Sequence, residues 1–149
     1  GDMKLIEKLV KEGVNISAIN DSGESALSKA ISRRQINVAR FLLENGATTE
    51  YPGFLVEKPL FSAVSTGNVK LVQLLLDHDA DIDECSSVGT VLSKAAKAGQ
   101  EDIVALLLSR DADVNLFNHL VYAPLYGAVT QNNDRLVREL LKHGAETGI

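Results

Sequence analysis

The chain has 149 residues, 45% of them apolar, which is enough to bury one sizeable core or one continuous stack without disulfides. Its net charge of -5 is spread along the sequence, and the only adjacent basic residues are Arg33 and Arg34, so we expect no nucleic-acid binding. A single cysteine, Cys85, cannot form an internal disulfide, and no apolar run reaches the roughly 18 residues of a membrane-spanning helix. We therefore expect a cytoplasmic or nuclear protein that inserts into no membrane.

A period of about 33 residues runs through the whole chain, and such a period indicates stacked structural repeats. One leucine in each unit recurs at spacings of 33, 32 and 33 residues. The residues that end successive units keep spacings of 33, 33, 32 and 33 residues, so one residue has been lost in the third interval. These end residues are Gly13, Gly46, Asp79, Asp111 and Gly144.

In chain order, the sequence predicts a helix over residues 3–12 and then four pairs of helices. The short first helices are predicted at 25–30, 58–63, 90–95 and 123–128. Pro59 and Pro124 suit a first helical turn, where the missing N–H costs nothing. A longer second helix with apolar residues at helical spacing follows in each pair. The glycine or aspartate that ends it tolerates a left-handed backbone.

Residues 95–115 resemble the ankyrin repeat most closely. The segments 95–100, 103–108 and 111–115 are similar to the AAxxG, IVxLLL and GADVN segments of that family. The resemblance implies an all-α ankyrin-repeat solenoid of stacked helix-turn-helix units with β-hairpin or loop tips. It divides a single domain into a partial repeat with a second helix only (1–19), repeats at 20–52, 53–85 and 86–117, and a C-terminal repeat (118–149).

The sequence departs from the family pattern in the turns. The turn glycine is kept as Gly23 and Gly89 but becomes Val56 and Val121. The hydrogen bonds that tie adjacent turns in the family through its threonine and histidine are in doubt, and these two hairpins are expected to be distorted or held by apolar packing. The residues at the family's histidine position are Ser28, Phe61, Ser93 and Tyr126.

The two ends of the array carry polar residues where inner units carry apolar ones. One position of the second helix is apolar in the inner units but is Lys8 in the first unit and Glu139 in the last. A solenoid needs polar terminal repeats, so this pattern indicates capping and an array close to complete. The initial half repeat, in contrast, indicates that Gly1 is not a native terminus.

The resemblance also implies a partner-binding surface, which in this family is the concave face formed by the hairpin tips and the exposed side of the first helices. The residues of this sequence at those positions are Asp21, Ser22, Glu24, Arg33, Phe54, Leu55, Glu57, Thr66, Val88, Lys97, Phe117, His119, Leu120, Tyr122 and Gln131.

Two of the predicted tips, 51–56 and 116–122, are unusually apolar for turns. Exposed aromatic side chains at such sites are typical anchors for a partner. The alternative is that they pack back onto each other or onto the adjacent helix. We expect at least two of these residues to be exposed anchors: Phe54, Leu55, Phe117, Leu120 and Tyr122.

The sequence predicts no catalytic residue, metal site or cofactor. Residues 77–81 begin like a calcium-binding loop, but Ile82 and Val88 stand where that loop needs glycine and glutamate. The three histidines fall in different units or helix ends without metal-ligand spacing. Cys85 has no histidine placed by the repeat register to activate it.

We therefore expect a non-enzymatic protein–protein interaction module, a scaffold or adaptor that binds another protein or a peptide. Two alternatives stay open. The chain could be the targeting or regulatory segment of a larger enzyme, effector or channel, or a self-associating architectural module that forms a homodimer through its apolar tips.

Overall fold

A computed structural model describes residues 3–51, 58–116 and 123–147. The all-α prediction of alternating first and second helices is confirmed, and none of the described helices is both long and apolar enough to cross a membrane. Two short antiparallel strands, β1 (Cys85–Ser86) and β2 (Gly89–Thr90), form one hairpin. The helices are α1 (Met3–Lys11), α2 (Ala26–Ser32), α3 (Ile36–Glu44), α4 (Pro59–Thr66), α5 (Val69–Leu76), α6 (Val91–Lys97), α7 (Glu101–Ser109), α8 (Pro124–Thr130) and α9 (Asp134–Lys142).

The chain forms two compact units, Gly1–Ala80 with α1 to α5 and Asp81–Ile149 with the hairpin and α6 to α9. In the first unit α2 packs on α3 and α4, and α4 packs on α5. In the second unit α6 packs on α7 and α8, and α8 packs on α9. The repeat boundaries drawn from the sequence stay a prediction.

Serine takes over a structural role at two positions where the family has histidine. Ser25 Oγ accepts a hydrogen bond from Ser28 N at 3.0 Å, and Ser28 Oγ accepts one from Ser25 N at 2.9 Å, which forms a capping box at the start of α2. Thr90 Oγ1 accepts one from Ser93 N at 3.0 Å, which caps α6, and it donates to Ser93 Oγ at 2.9 Å. Each such cap stabilises its helix by about 1 kcal/mol.

The other two first helices begin with proline and have no side-chain cap. Pro59 and Pro124 stand in their first turns, as predicted. The predicted left-handed residues at the ends of the second helices are also confirmed. Asp79 and Asp111 adopt φ values of 60° and 62°, and Gly144 adopts 87°.

The loops after the second helices are joined by a repeated set of hydrogen bonds, which we call the loop ladder. In the first unit Thr48 N donates to Ser17 Oγ at 2.9 Å. In the second unit Asp113 N donates to Asp83 Oδ1 at 2.9 Å. These bonds couple one repeat to the next. They do so independently of the family's threonine and histidine contacts, which the sequence left in doubt.

The last step of the loop ladder centres on Asn115. Its Oδ1 accepts a hydrogen bond from Glu146 N at 2.8 Å, and its Nδ2 donates to Gly144 O at 3.0 Å. Asp81, from the segment that begins like a calcium-binding loop, and Asp113, its equivalent one repeat later, serve the same network, since each accepts a hydrogen bond from the backbone N–H two residues later. Within the described ranges, no group of three acidic, histidine or cysteine side chains could hold a metal ion.

The first helices approach one another closely in the second unit. A Cβ at Gly127 of α8 would lie 3.0 Å from the backbone N of Lys97 in α6, so only glycine fits there without displacement. The alanines predicted to keep one side of each first helix thin are buried. They are Ala30, Ala63, Ala95 and Ala128.

The prediction that Glu139 is a polar cap is wrong. Glu139 lines a groove with Glu101, Asp102 and Ala105 of α7, so it faces the preceding repeat, not the outside of the last one. Lys8, the other predicted cap, is exposed.

Apolar residues lie on the outer side of the last repeat instead. Val129 is 57% exposed and Leu141 is 43% exposed, whereas Ala96 and Leu108, one repeat earlier, are 0% and 5% exposed. The polar residue at the position shared by Lys8 and Glu139 therefore did not predict which side chains of the last repeat are exposed.

Candidate partner-binding surface

The turn between β1 and β2 presents an apolar side chain to solvent. Strand pairing joins Ser86 to Gly89, which leaves Ser87 and Val88 as a two-residue turn. Val88 N donates to Ser86 Oγ at 3.1 Å, and the Val88 side chain is 61% exposed. The turn is thus fixed by its own hydrogen bonds while its valine is left open to a partner.

The corresponding turn of the first unit is polar. Asn20 Oδ1 accepts hydrogen bonds from Ser22 N at 3.0 Å and Glu24 N at 2.9 Å, and Gly23 adopts a φ of 74°. The predicted residues Asp21, Ser22 and Glu24 are all exposed there. This turn therefore offers acidic and hydroxyl groups instead of an apolar anchor.

Glu24 is held in place by a neighbouring lysine. Lys29 Nζ lies 3.0 Å from Glu24 Oε1, and Asn20 Nδ2 donates to Glu24 Oε2 at 3.3 Å. The hydrogen bond from Lys29, and then that from Asn20, lowers the pKa of the Glu24 carboxyl below its ordinary value. Glu24 is thus favoured in its charged form in this turn.

The remaining predicted residues in the described ranges lie at the ends of the first helices. Arg33, Lys97 and Gln131 are exposed, at or beside the ends of α2, α6 and α8. Thr66, at the end of α4, is half-buried, and its Oγ1 donates to Ala63 O at 2.7 Å. Thr66 therefore serves the helix end and presents less of its side chain than the other three.

The two apolar tips lie mostly outside the described residues. The predicted anchors there stay a prediction, and of the flanking residues Leu116 is half-buried and Tyr51 is buried. Tyr51 therefore packs inward, and its hydroxyl has no hydrogen-bond partner within the described part of the chain. The predicted residues in the two undescribed segments are Phe54, Leu55, Glu57, Phe117, His119, Leu120 and Tyr122.

Sequence reasoning missed two exposed apolar residues on α8. Tyr126 and Val129 lie one helical turn apart and are both exposed. The signal was present in the sequence, because Tyr126 occupies a position held by Ser93 one repeat earlier. Its exposure depends on what packs against α8, which the sequence pattern does not state.

The second unit also contains an acidic groove between α7 and α9, with a volume of about 240 Å³. Arg135 Nη1 lies 2.9 Å from Glu101 Oε2, and Asn133 Nδ2 donates to Glu101 Oε1 at 3.0 Å. Asp102 and Glu139 also line the groove. Arg135, the cation among the described lining residues, is thus already paired with a lining carboxylate.

Comparison with known proteins decides the family. Residues 51–118 match the family model described as ankyrin repeats (3 copies). The chain therefore contains ankyrin repeats. Ankyrin repeats are generally protein–protein interaction modules, and their fold is typically non-enzymatic.

Several relatives are much longer than this ankyrin-repeat chain. It is 36% identical over 93 residues to the ankyrin repeat and KH domain-containing protein mask of Drosophila melanogaster, a match that covers 59% of the chain and 2% of that protein. It is 28% identical over 147 residues to an L-asparaginase of Dirofilaria immitis, covering 98% of the chain and 25% of the relative. It is 30% identical over 80 residues to the human transient receptor potential cation channel subfamily A member 1, and this match covers 52% of the chain and 7% of the channel. The chain thus spans a quarter or less of each of these relatives.

Proposed function

We propose that this ankyrin-repeat chain is a scaffold or adaptor module that binds a partner protein or peptide through its hairpin tips and the exposed side of its first helices. The observation that carries the proposal is Val88, an apolar side chain exposed on a hydrogen-bonded turn. A preformed turn loses little conformational freedom on binding, and an apolar anchor that becomes buried supplies affinity. The polar residues exposed around the other turns and helix ends supply the rim of such a surface.

Capture from cell extract tests the proposal with a matched pair of variants. We expect Val88→Ser to lower the affinity for the captured partner about tenfold, since burying a valine stabilises a complex by about 1.5 kcal/mol. Val14→Ser, at a 53% exposed valine after α1, is the control and should leave the set of captured proteins unchanged. If both variants lose the captured partner equally, or if neither loses it, the interaction lies elsewhere.

The apolar tips outside the described residues extend the same proposal. We expect Phe54→Ala together with Tyr122→Ala to weaken partner binding while the melting temperature changes by only one or two degrees. A large drop in melting temperature would instead favour the alternative in which these side chains pack onto the protein.

A second candidate is a targeting or regulatory segment of a larger enzyme, effector or channel. It is supported by the small share of the asparaginase and of the channel that the chain spans. In this proposal the chain itself catalyses nothing, and any chemistry lies outside it. The full open reading frame tests this candidate, because a second domain of recognisable chemistry would support it.

Self-association is a third candidate. Val129 and Leu141 on the outer side of the last repeat support it together with the apolar tips. Light scattering across protein concentrations tests it, since a molar mass that stays at the monomer value excludes a homodimer. The single cysteine, Cys85, cannot form an internal disulfide, which supports a reducing location in the cytoplasm or nucleus for each of these candidates.

A further inference from the structure

An open groove of about 630 Å³ runs across the second helices of the first unit. It is lined by three cationic side chains from three different places in the chain: Arg34 from the α2–α3 loop, Arg40 from α3 and Lys70 from α5. No carboxylate is found among the described residues that line it. The groove is thus locally basic in a chain whose net charge is -5.

The cations in this groove are not neutralised by the protein. Arg40 and Lys70 are exposed, and among the described residues neither side chain makes a hydrogen bond or an ion pair. Arg34 donates from Nη2 to Thr66 O at 2.7 Å, which fixes its guanidinium and leaves its other N–H groups available. Like charges that converge without counter-charges attract an anionic partner.

The fold does not impose this charge. The equivalent groove between α7 and α9 in the second unit is lined by Glu101, Asp102 and Glu139, and its cation, Arg135, is already paired. In the repeat register, Arg40 corresponds to Ala105, and Lys70 corresponds to Arg135, whose charge is offset by Glu101. The same surface of the same fold therefore carries opposite charge in the two units.

We propose that the groove lined by Arg34, Arg40 and Lys70 is a second binding site, for an acidic peptide segment of a partner protein. Apolar side chains of Met3, Ile36 and Val38 also line it, so the segment that fits best carries an apolar residue among its carboxylates.

Nucleic acid fits this groove less well than a peptide. Three cations neutralise few phosphates, and no aromatic side chain among the described lining residues is available to stack on a base. The site also uses none of the turn and first-helix residues of the proposed partner-binding surface. The proposal of this second site can therefore be tested independently of the proposed partner-binding surface.

Fluorescence anisotropy with a labelled octapeptide of glutamate and aspartate with one central leucine tests the site on the full chain. We expect Arg40→Glu together with Lys70→Glu to weaken binding at least tenfold, and Arg40→Gln together with Lys70→Gln to weaken it about threefold. The glutamine pair keeps the test valid if the charge-reversed pair is poorly folded by circular dichroism. Raising the salt concentration from 50 to 500 mM should also weaken wild-type binding.

The matched control is Arg138→Glu, because Arg138 holds the position of Arg40 in the last repeat of the second unit and is also exposed. Binding of this variant should stay within twofold of wild type. The proposal is overturned if wild type shows no binding at 1 mM protein, or if Arg138→Glu weakens binding as much as the charge-reversed pair. It is also overturned if an oligothymidylate of equal charge binds more tightly than the peptide.

Discussion

The two helix pairs of the second unit have the same design and different surroundings. The pair α6–α7 and the pair α8–α9 carry apolar residues at equivalent positions, yet Leu108 is buried while Leu141 is exposed. The first helices differ in the same way, because Ser93 is buried and Tyr126 is exposed. Burial at these positions is therefore set by what packs against each pair and not by the residue type.

The largest difference in the free energy of unfolding is expected between substitutions of Leu108 and Leu141. We expect Leu108→Ala to lower the free energy of unfolding by about 2–5 kcal/mol, because it leaves a cavity at a buried position. Leu141→Ala removes the same atoms from an exposed position and should cost less than about 1 kcal/mol. Urea unfolding of both variants measures the difference, and equal losses would break the comparison.

A somewhat smaller effect should come from the close approach between the two first helices. Gly127→Leu places a side chain against the Lys97 backbone, and such overpacking typically costs about 1–3 kcal/mol. Val129→Leu, on an exposed position of the same helix, should change the free energy of unfolding by less than about 0.5 kcal/mol. A neutral Gly127→Leu variant would mean that α8 does not lie against α6.

The loop ladder offers a third test at the junction between the two pairs. We expect Asn115→Ala to destabilise the protein by about 1–2 kcal/mol, because it removes its bonds to Gly144 O and Glu146 N. Hydrogen exchange should show faster exchange of the Glu146 amide in this variant. An unchanged rate would show that Asn115 does not hold this amide.

The smallest effect concerns Glu24 in the polar turn of the first unit, where its carboxylate is paired with Lys29. Because the folded-state pKa of Glu24 is lowered, its contribution to stability is present above its unfolded pKa and is lost as the pH falls through the folded pKa. Lys29→Met should move the Glu24 pKa, measured by NMR titration, upward toward its ordinary value. No upward movement would show that Lys29 is not the cause.

The sequence predicted the features that follow from period and backbone geometry. The aspartates Asp79 and Asp111 take left-handed conformations because a helix must end there, and Pro59 and Pro124 begin helices for the same local reason. These features depend on nearest neighbours in the chain, so one sequence is enough to find them.

Features that depend on distant neighbours were beyond the sequence. Glu139 was interpreted as an outward cap, but the side it faces is fixed by how α9 packs on α7. The basic groove was missed because its cations are 6 and 30 residues apart in sequence, at Arg34, Arg40 and Lys70, and come together only in the fold. Val88 was predicted from the resemblance to bind a partner; its side chain is exposed, and its binding role stays a prediction.

The central claim is that, within each unit, neighbouring repeats pack side by side through their first helices. Nuclear Overhauser spectroscopy tests it most directly at the contact between Gly127 and Lys97. The structure predicts cross-peaks between the Gly127 Hα protons and the Lys97 backbone protons, since a Cβ at Gly127 would lie 3.0 Å from Lys97 N. Assigned spectra without these cross-peaks, with α8 in contact with some other element instead, would contradict the account.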